Sequence, residues 1–241
     1  MRRACIDIGS NTTRLLVADC GGERLLEVHQ DRAFTHIRRG IQPDGTVAVS
    51  KLEEVAAVVC EQLRRARALG AQEVCGVATA AIRRAGNASA LLELIRVSCG
   101  LAIEVLSERE EARLAFVGAA RTLQHTPAGE LGVVDVGGGS SEMVVGTAPD
   151  RVSWSTSFGV GSGDLADGCL HSDPPSRSEL AEARRRVAAA LEGIEVPRPA
   201  EAVAVGGSAA SLRRLVGPRL DREAFRRSLR LLASERSSVL A

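Results

Sequence analysis

Apolar and polar positions alternate along the start of the chain and then recur at helical spacing, which predicts strands followed by alternating helices and strands. The alternation predicts three strands at residues 4–8, 14–19 and 24–30, and the tight turns between them indicate an antiparallel meander. Ser50 is interpreted as the N-cap, within a capping box, of a helix that continues to Gly70. The elements predicted next are a strand at 74–78, a helix at 88–99, a strand at 102–106 and a helix at 108–121.

The same pattern starts again after residues 125–130, whose sequence H-T-P-A-G-E is typical of a connection between domains. This repetition predicts an α/β chain made of two similar domains, residues 1–124 and 125–241. The elements predicted in the second half are strands at 132–136, 142–146, 152–158 and 202–205, helices at 179–192 and after Gly207, and a charged helix from Asp221.

Each half opens with the same order of residue types. D-I-G-S-N-T-T starts at Asp7, and D-V-G-G-G-S-S starts at Asp135, 128 residues later. Glycine and small residues let successive backbone N–H groups converge on an anion, and the hydroxyl groups add further donors. The aspartate at the end of the strand can hold a divalent cation. A structural turn needs no aspartate and neither copy is a Walker loop, so the repeat predicts two phosphate-binding turns.

Composition narrows the class of protein only modestly. Apolar residues make up 45% of the chain and charged residues 25%, and the net charge is +1, so no nucleic-acid or membrane partner is indicated. The N-terminus runs directly into a strand pattern and no window has the length of a membrane span, which favours a cytoplasmic location. The six cysteines have no metal-type spacing and are predicted to be reduced thiols.

Five sequence blocks, taken together, resemble the exopolyphosphatase/guanosine pentaphosphate phosphatase (Ppx/GppA) family of the actin–Hsp70–hexokinase superfamily. The resemblance implies two ribonuclease-H-like (actin-like) lobes with mixed sheets flanked by helices, and an active site in the cleft between the lobes. Sugar kinases and actins share the first and fourth blocks but not the third. The blocks are D-I-G-S-N-T-T-R-L at 7–15, A-T-A-A-I-R-R-A-G-N at 78–87, S-E-R-E-E-A-R-L at 107–114, D-V-G-G-G-S-S-E at 135–142 and V-G-G-S-A at 205–209.

The resemblance also implies roles for individual residues. In the family a glutamate of the third block is the general base for the attacking water, which corresponds here to Glu111, with Glu110 as the alternative. Asp135 and Glu142, with Asp7 opposite, resemble the carboxylates that bind Mg²⁺ or another divalent cation, or that order the water. The remaining matches are predicted to bind phosphate: Ser10, Asn11, Thr12, Arg14, Thr79, Arg83, Gly137, Gly138, Gly139, Ser140 and Gly207.

The activity implied is release of terminal orthophosphate from inorganic polyphosphate or from guanosine pentaphosphate, by a protein whose relatives are often homodimers. Two departures from the family pattern are visible. Ser162 stands near the position where many members carry an arginine, and the second half of the chain is short. Aromatic residues are only 2% of the chain, which favours polyphosphate over a nucleotide. An ATP-dependent kinase and a non-catalytic polyphosphate or nucleotide sensor are the alternatives.

Overall fold

The computed structural model describes residues 1–21 and 25–240, which form two compact units. The first unit is Met1–Glu111 and the second is Ala112–Ala241. The division lies inside one helix, earlier in the chain than the predicted boundary between residues 124 and 125.

The first unit is built on a five-stranded mixed sheet with the strand order β3-β2-β1-β4-β5. β1, β2 and β3 are antiparallel neighbours, whereas β4 and β5 run parallel to β1. The predicted meander is therefore confirmed, and Arg24, its predicted third-strand start, lies outside the described residues. The elements are β1 (Arg2–Ile8), β2 (Thr13–Cys20), β3 (Leu25–Ala33), a 3-10 turn (Ile37–Gly40), α1 (Val49–Ala68), β4 (Glu73–Ala78), α2 (Ala80–Arg83), α3 (Ala88–Cys99), β5 (Ile103–Val105) and α4 (Glu108–Thr122).

Helices α1 and α3 cover one face of this sheet. Every second residue of the central strands, such as Ile6 and Val17, is fully buried against the apolar stripes of the two helices. The predicted N-cap of α1 is wrong, because the helix begins at Val49 and Ser50 lies inside its first turn. Tertiary hydrogen bonds set this start: Asn87 Oδ1 accepts from the Val47 backbone N–H at 2.9 Å, just ahead of the helix.

The second unit repeats the arrangement on a four-stranded sheet with the order β8-β7-β6-β9. β6, β7 and β8 are antiparallel neighbours and β9 runs parallel to β6. Phe116 of α4 is fully buried against Leu131 and Val133 in its core. The elements are β6 (Leu131–Val136), β7 (Ser141–Thr147), β8 (Arg151–Phe158), α5 (Ser162–Cys169), α6 (Arg177–Leu191), β9 (Glu201–Val205), α7 (Gly206–Val216), α8 (Arg222–Ser234) and α9 (Ser237–Leu240).

The predicted α/β class, with two related mixed sheets flanked by helices, is confirmed. In each unit three antiparallel strands are followed by a parallel strand on the other side of the first one. The order places both aspartate–glycine turns at equivalent corners, between the first and second strands. Within the part of the chain that the structure describes, no helix is both long enough and apolar enough to cross a membrane.

Candidate functional site

The first aspartate–glycine turn links β1 to β2 and is closed by its own backbone. Gly9 N–H donates to the Thr12 carbonyl at 3.0 Å. A Cβ atom at Gly9 would lie 3.1 Å from that carbonyl oxygen, so the turn leaves little room for a side chain there. The Arg14 guanidinium donates from Nε to Thr12 Oγ1 at 3.2 Å. The predicted phosphate-binding residues of this block therefore share one compact turn.

A segment that the sequence analysis missed holds the carbonyls of this turn. His36 N–H donates to the Asn11 carbonyl at 3.0 Å, and Arg38 N–H donates to the Ser10 carbonyl at 3.3 Å. The His36 backbone has φ 43° and ψ 46°, a left-handed conformation that is uncommon for residues other than glycine. Its ring also meets Asn11, with Nδ1 3.3 Å from Oδ1. The segment between β3 and α1 thus supports the first turn from behind.

The second turn links β6 to β7 and closes in the same way. Gly137 N–H donates to the Ser140 carbonyl at 3.0 Å, and a Cβ at Gly137 would lie 3.1 Å from the same oxygen. These are the distances found at Gly9 and Thr12. The predicted repeat is therefore a repeat of backbone geometry as well as of sequence.

Helix α5, which the sequence analysis also missed, supports the second turn. Ser162 N–H donates to the Gly137 carbonyl at 2.9 Å, and Gly163 N–H donates to the Gly138 carbonyl at 3.1 Å. The two segments are so close that a Cβ at Gly161 would lie 2.3 Å from the Gly138 carbonyl carbon. Ser162, the departure from the family pattern, adds a bond from Oγ to the Gly137 carbonyl at 3.1 Å.

These bonds orient the peptide groups of both turns. In a planar trans peptide the carbonyl and the following N–H point in opposite directions. Because the carbonyls of Ser10, Asn11, Gly137 and Gly138 point to the supporting segments, the N–H groups that follow them point away from those segments. Successive N–H groups on one side of a turn are the arrangement that binds phosphate oxygens.

The two predicted metal-binding aspartates have different cross-strand partners. Asp7 lies opposite Arg14 in the β1–β2 register, and Asp135 lies opposite Glu142 in the β6–β7 register. The Glu142 side chain is nearly fully buried and accepts a hydrogen bond from Ser157 Oγ at 3.0 Å. Directly opposite residues of an antiparallel pair share one face of the sheet, so two carboxylates adjoin in the second unit.

Asp135 also abuts the turn into α7. A Cβ at Gly206, where φ is +85°, would lie 2.5 Å from Asp135 Oδ1, so both the backbone and the space require glycine. Gly207, a predicted phosphate-binding residue, follows in the first turn of the same helix. Ser208 Oγ donates to the Val136 carbonyl at 3.1 Å and fixes this turn beside the second loop.

Arg83 and Glu111 come from different sequence blocks and form an ion pair in the first unit. Arg83 Nη1 lies 2.9 Å from Glu111 Oε2 and also donates to the Leu106 carbonyl at 2.7 Å. Both side chains are mostly buried, at 18% and 19% exposed. Thr79 directly precedes the short helix that carries Arg83, and its N–H donates to the Ile8 carbonyl at 3.2 Å. The second and third blocks are thus joined through charged side chains.

Glu110, the alternative general base, lies beside Glu111 in the first turn of α4 and is partly buried. Its backbone N–H donates to Ser107 Oγ at 3.2 Å. Arg83 contacts Glu111 at 2.9 Å and Glu108 at 3.8 Å. The geometry therefore orients the carboxylate of Glu111 through an arginine.

The oxygen donors of the second unit fit a magnesium ion. Among residues 1–21 and 25–240 no group of three or more His, Cys, Asp or Glu side chains forms a metal cluster. Mg²⁺, however, usually keeps several waters and takes one or two protein carboxylates together with substrate phosphates. Two adjoining carboxylates, one of them buried, satisfy that requirement because a cation between them would offset their repulsion.

Most of the chain is similar to one known protein family. A sequence profile of the Ppx/GppA phosphatase family matches residues 13–218. The chain belongs to the Ppx/GppA family. The match includes the Asp135 loop and the Arg83 and Glu111 blocks, and it begins at Thr13, directly after the first turn.

Two mycobacterial relatives in the Ppx/GppA family bear exopolyphosphatase names. Exopolyphosphatase 2 of Mycobacterium tuberculosis is 34% identical over 201 residues, which is 79% of this chain and 62% of that protein. Exopolyphosphatase 1 of Mycobacterium leprae is 30% identical over 223 residues, covering 90% of this chain and 65% of that protein. The chain thus spans less than two thirds of the length of these curated relatives.

Solved Ppx/GppA structures show the same actin-like fold. The PPX-GPPA enzyme of Aquifex aeolicus superposes with a TM-score of 0.79 at 28% identity, covering 99% of this chain and 83% of that chain. An exopolyphosphatase from Cytophaga hutchinsonii gives a TM-score of 0.85, with 98% of this chain and 81% of that chain covered. Its identity is 20%, so it supports the fold alone.

Proposed function

We propose that this Ppx/GppA protein is an exopolyphosphatase-type hydrolase that releases terminal orthophosphate from inorganic polyphosphate. The Arg83–Glu111 ion pair is the main support for this proposal, because it joins residues of the second and third sequence blocks that are 28 positions apart. A carboxylate oriented by an arginine can accept a proton from water, as a general base requires. The names of the mycobacterial relatives support the choice of substrate.

In this proposal the aspartate–glycine turns bind phosphate oxygens through their oriented backbone N–H groups. Phosphoryl transfer needs little covalent help from a protein, but it needs neutralisation of the phosphate oxygens and an aligned nucleophile. The turns and their hydroxyl groups contribute to the first requirement, and Glu111 meets the second. Thr12 and Ser140 are the hydroxyl residues at equivalent places in the two turns.

Mg²⁺ is the divalent cation that we propose for the second unit, held by Asp135 and Glu142. When bound, such an ion neutralises charge on phosphate oxygens. Asp7 is a further candidate ligand, in the first unit, where its register partner Arg14 already supplies a positive charge. A cytoplasmic location remains a prediction.

Glu111→Gln tests the hydrolase directly. We expect phosphate release from polyphosphate to fall by about 10²–10⁴-fold, because a general base contributes that much, while substrate affinity changes little. Glu110→Gln is the matched control, since it removes the neighbouring carboxylate and keeps the Arg83 contact. Phosphate release would be measured colorimetrically, and binding by calorimetry in the inactive variant.

The same assay separates the alternatives. If Glu111→Gln loses affinity and turnover equally, Glu111 is a binding residue. If Glu110→Gln alone abolishes release, Glu110 is the base. ATP consumption only in the presence of an added acceptor would identify a kinase, and tight polyphosphate binding without any release would identify a sensor.

Guanosine pentaphosphate is a second candidate substrate, favoured by one aromatic group near the first turn. The Phe34 ring is 60% exposed and stacks on His36 with a centroid distance of 5.8 Å. Arg32 lies over the same ring at 5.0 Å. His36 contacts Asn11 of the first turn, so this exposed ring is linked to a predicted phosphate site.

Phe34→Ala tests whether guanosine pentaphosphate is a substrate whose base stacks on this ring. Base stacking on an aromatic residue contributes about 1–3 kcal/mol, so we expect KM for guanosine pentaphosphate to rise by roughly 5–100-fold while KM for polyphosphate is unchanged. Phe34→Leu would retain the apolar volume without the ring. Equal KM changes for both substrates would exclude a stacking role.

A further inference from the structure

Two cysteines face each other across neighbouring strands, away from the predicted phosphate-binding turns. Cys5 of β1 and Cys75 of β4 are direct partners in the parallel register. Neighbouring strands are about 4.8 Å apart, which is within the Cα separations of about 4.4–6.8 Å that a disulfide spans. Both residues are free thiols.

The two side chains lie on the same face of the sheet. Ala4 and Ile6 point into the core from β1, and Ala78 points into it from β4, so the alternating residues Cys5 and Cys75 lie on the opposite face. Cys75 is exposed, and Cys5 is partly buried. The Cys75 thiol donates to the Ala4 carbonyl at 3.5 Å, which places its sulfur against the strand that carries Cys5.

The surroundings of Cys75 favour a thiolate. A hydrogen bond with Cys5 is the largest contribution and lowers the pKa of Cys75 to about 6, although burial opposes it. A backbone hydrogen bond and the charge of Arg3 lower it further, while Glu104 acts in the opposite direction. The thiolate is the form of cysteine that reacts with oxidants.

We infer that Cys75 is a site of reversible oxidation by hydrogen peroxide and that Cys5 is its resolving thiol, so that a Cys5–Cys75 disulfide forms. The inference rests on register, shared face and exposure, and is independent of the proposed hydrolase activity. Disulfides that are exposed, and those formed under strain, are the ones that thiols reduce readily. The product would tie together the two strands that lead to Asp7 and Thr79.

The reaction balances in two steps. First, the Cys75 thiolate attacks one peroxide oxygen, the O–O bond breaks, an S–O bond forms, and hydroxide leaves and is protonated to water. The sulfur is oxidised to a sulfenic acid and the peroxide is reduced. Second, the Cys5 sulfur attacks the Cys75 sulfur, the S–S bond forms, and the S–O bond breaks. The departing hydroxide takes the proton of the Cys5 thiol, so two thiols and one peroxide yield one disulfide and two waters.

A second cysteine pair in the same unit provides an internal control. Cys60 of α1 and Cys99 of α3 also influence each other, and both are partly buried. Burial is the main reason that the pKa of Cys60 is raised to about 11. The reactive thiolate of Cys60 is therefore far less populated at neutral pH.

Peroxide treatment and peptide mapping of the full chain test the inference. Trypsin places each of the four cysteines in its own peptide: residues 4–14, 68–83, 52–64 and 97–109. After brief treatment with hydrogen peroxide at pH 7 and alkylation of the remaining thiols, we expect a disulfide between peptides 4–14 and 68–83. It should form at least about ten-fold faster than one between 52–64 and 97–109, and dithiothreitol should remove it.

Two variants keep the test decisive. In Cys5→Ser the resolving thiol is gone, so a dimedone-reactive sulfenic acid should accumulate on Cys75; in Cys75→Ser, Cys5 should remain reduced. Circular dichroism would establish that both variants fold. Absence of the 4–14/68–83 disulfide, equal rates for the two cysteine pairs, or no sulfenic acid on Cys75 in Cys5→Ser would each overturn the inference.

Discussion

The two aspartate–glycine turns have the same backbone but opposite electrostatic settings. Gly9 N–H and Gly137 N–H each close their turn with a 3.0 Å bond. Across the strands, however, Asp7 faces an arginine, whereas Asp135 faces a buried glutamate. The aspartate of the first turn therefore lies opposite a positive side chain, and that of the second turn opposite a negative one.

This difference separates two requirements of phosphate chemistry. Backbone N–H groups can bind phosphate oxygens in either turn because they do not depend on side-chain charge. Two adjoining carboxylates create a local demand for a cation, which a carboxylate opposite an arginine does not. The residue opposite the aspartate would thus decide whether the same turn forms an anion site alone or, as we propose for the second unit, an anion site with a metal.

Gly206→Ala is expected to have the largest effect on stability and activity, because it disturbs Asp135 in the second unit. An alanine there adopts an unfavourable backbone and its Cβ meets Asp135 Oδ1 at 2.5 Å. Backbone strain costs about 1–3 kcal/mol, and the carboxylate of Asp135 must also move away from the new Cβ. Urea unfolding would measure the loss of stability, and phosphate release would report the displacement of Asp135.

Gly100→Ala is the matched control in the first unit. Gly100 has φ +76°, but its Cβ would meet no atom within 4 Å, so only the backbone strain remains. We expect a loss of about 1–3 kcal/mol without a change in the Mg²⁺ dependence of activity. Equal losses in the two variants would mean that contact with Asp135 has no cost.

Removing the charge opposite each aspartate should change Tm by a smaller amount and with opposite sign in the two units. Without a cation, Glu142→Gln should remove a like-charge cross-strand pair worth roughly 0.2–1 kcal/mol and raise Tm. It should also abolish the stabilisation that we expect Mg²⁺ to give the unmodified protein, which would be about 2.7 kcal/mol at a hundred-fold excess over Kd. The Ser157 hydroxyl can still donate to the glutamine oxygen, so the substitution changes mainly the charge.

Arg14→Gln is the counterpart in the first unit. It removes the positive partner of Asp7, so we expect Tm to fall in EDTA and the response to Mg²⁺ to persist. Differential scanning calorimetry with EDTA and with Mg²⁺ measures both quantities. A fall in Tm for Glu142→Gln in EDTA would contradict the idea that the Asp135–Glu142 pair is repulsive.

The sequence predicts the parts of this fold that depend on local pattern. Both strand–turn–strand corners, the parallel strands after the helices and the repeat itself follow from alternation, glycine placement and residue order. The supporting segments do not follow, because their role depends on contacts between distant residues. His36 adopts its left-handed conformation while bonded to Asn11, and α5 is a short, glycine-containing helix with weak helical spacing.

The candidate site shows the same limit. The sequence blocks identify Arg83 and Glu111 but do not indicate that they interact. Only the tertiary structure shows that Arg83 Nη1 lies 2.9 Å from Glu111 Oε2. The start of α1 was mispredicted for a related reason, since hydrogen bonds between Val47 and Asn87, forty residues apart, fix where the chain enters the helix. Motifs thus identify residue types, whereas pairing requires the fold.

The smallest expected effect comes from Glu179→Gln, which separates the turns from the general stability of the second unit. Hydrogen bonds from the Ser176 and His171 backbone N–H groups hold the pKa of Glu179 at about 2, below its usual value of 4.5. Its stabilising contribution is therefore complete above about pH 5 and is lost as pH falls towards 2. Urea unfolding between pH 7 and 3 should show a weaker pH dependence in the variant, with Ser178→Ala of the same turn as a non-titrating control. The Mg²⁺-induced rise in Tm at pH 7 should be unaffected. Loss of that response in Glu179→Gln would mean that Mg²⁺ binding depends on the stability of the whole second unit. The contrast between Arg14 and Glu142 would then not explain which unit binds the cation.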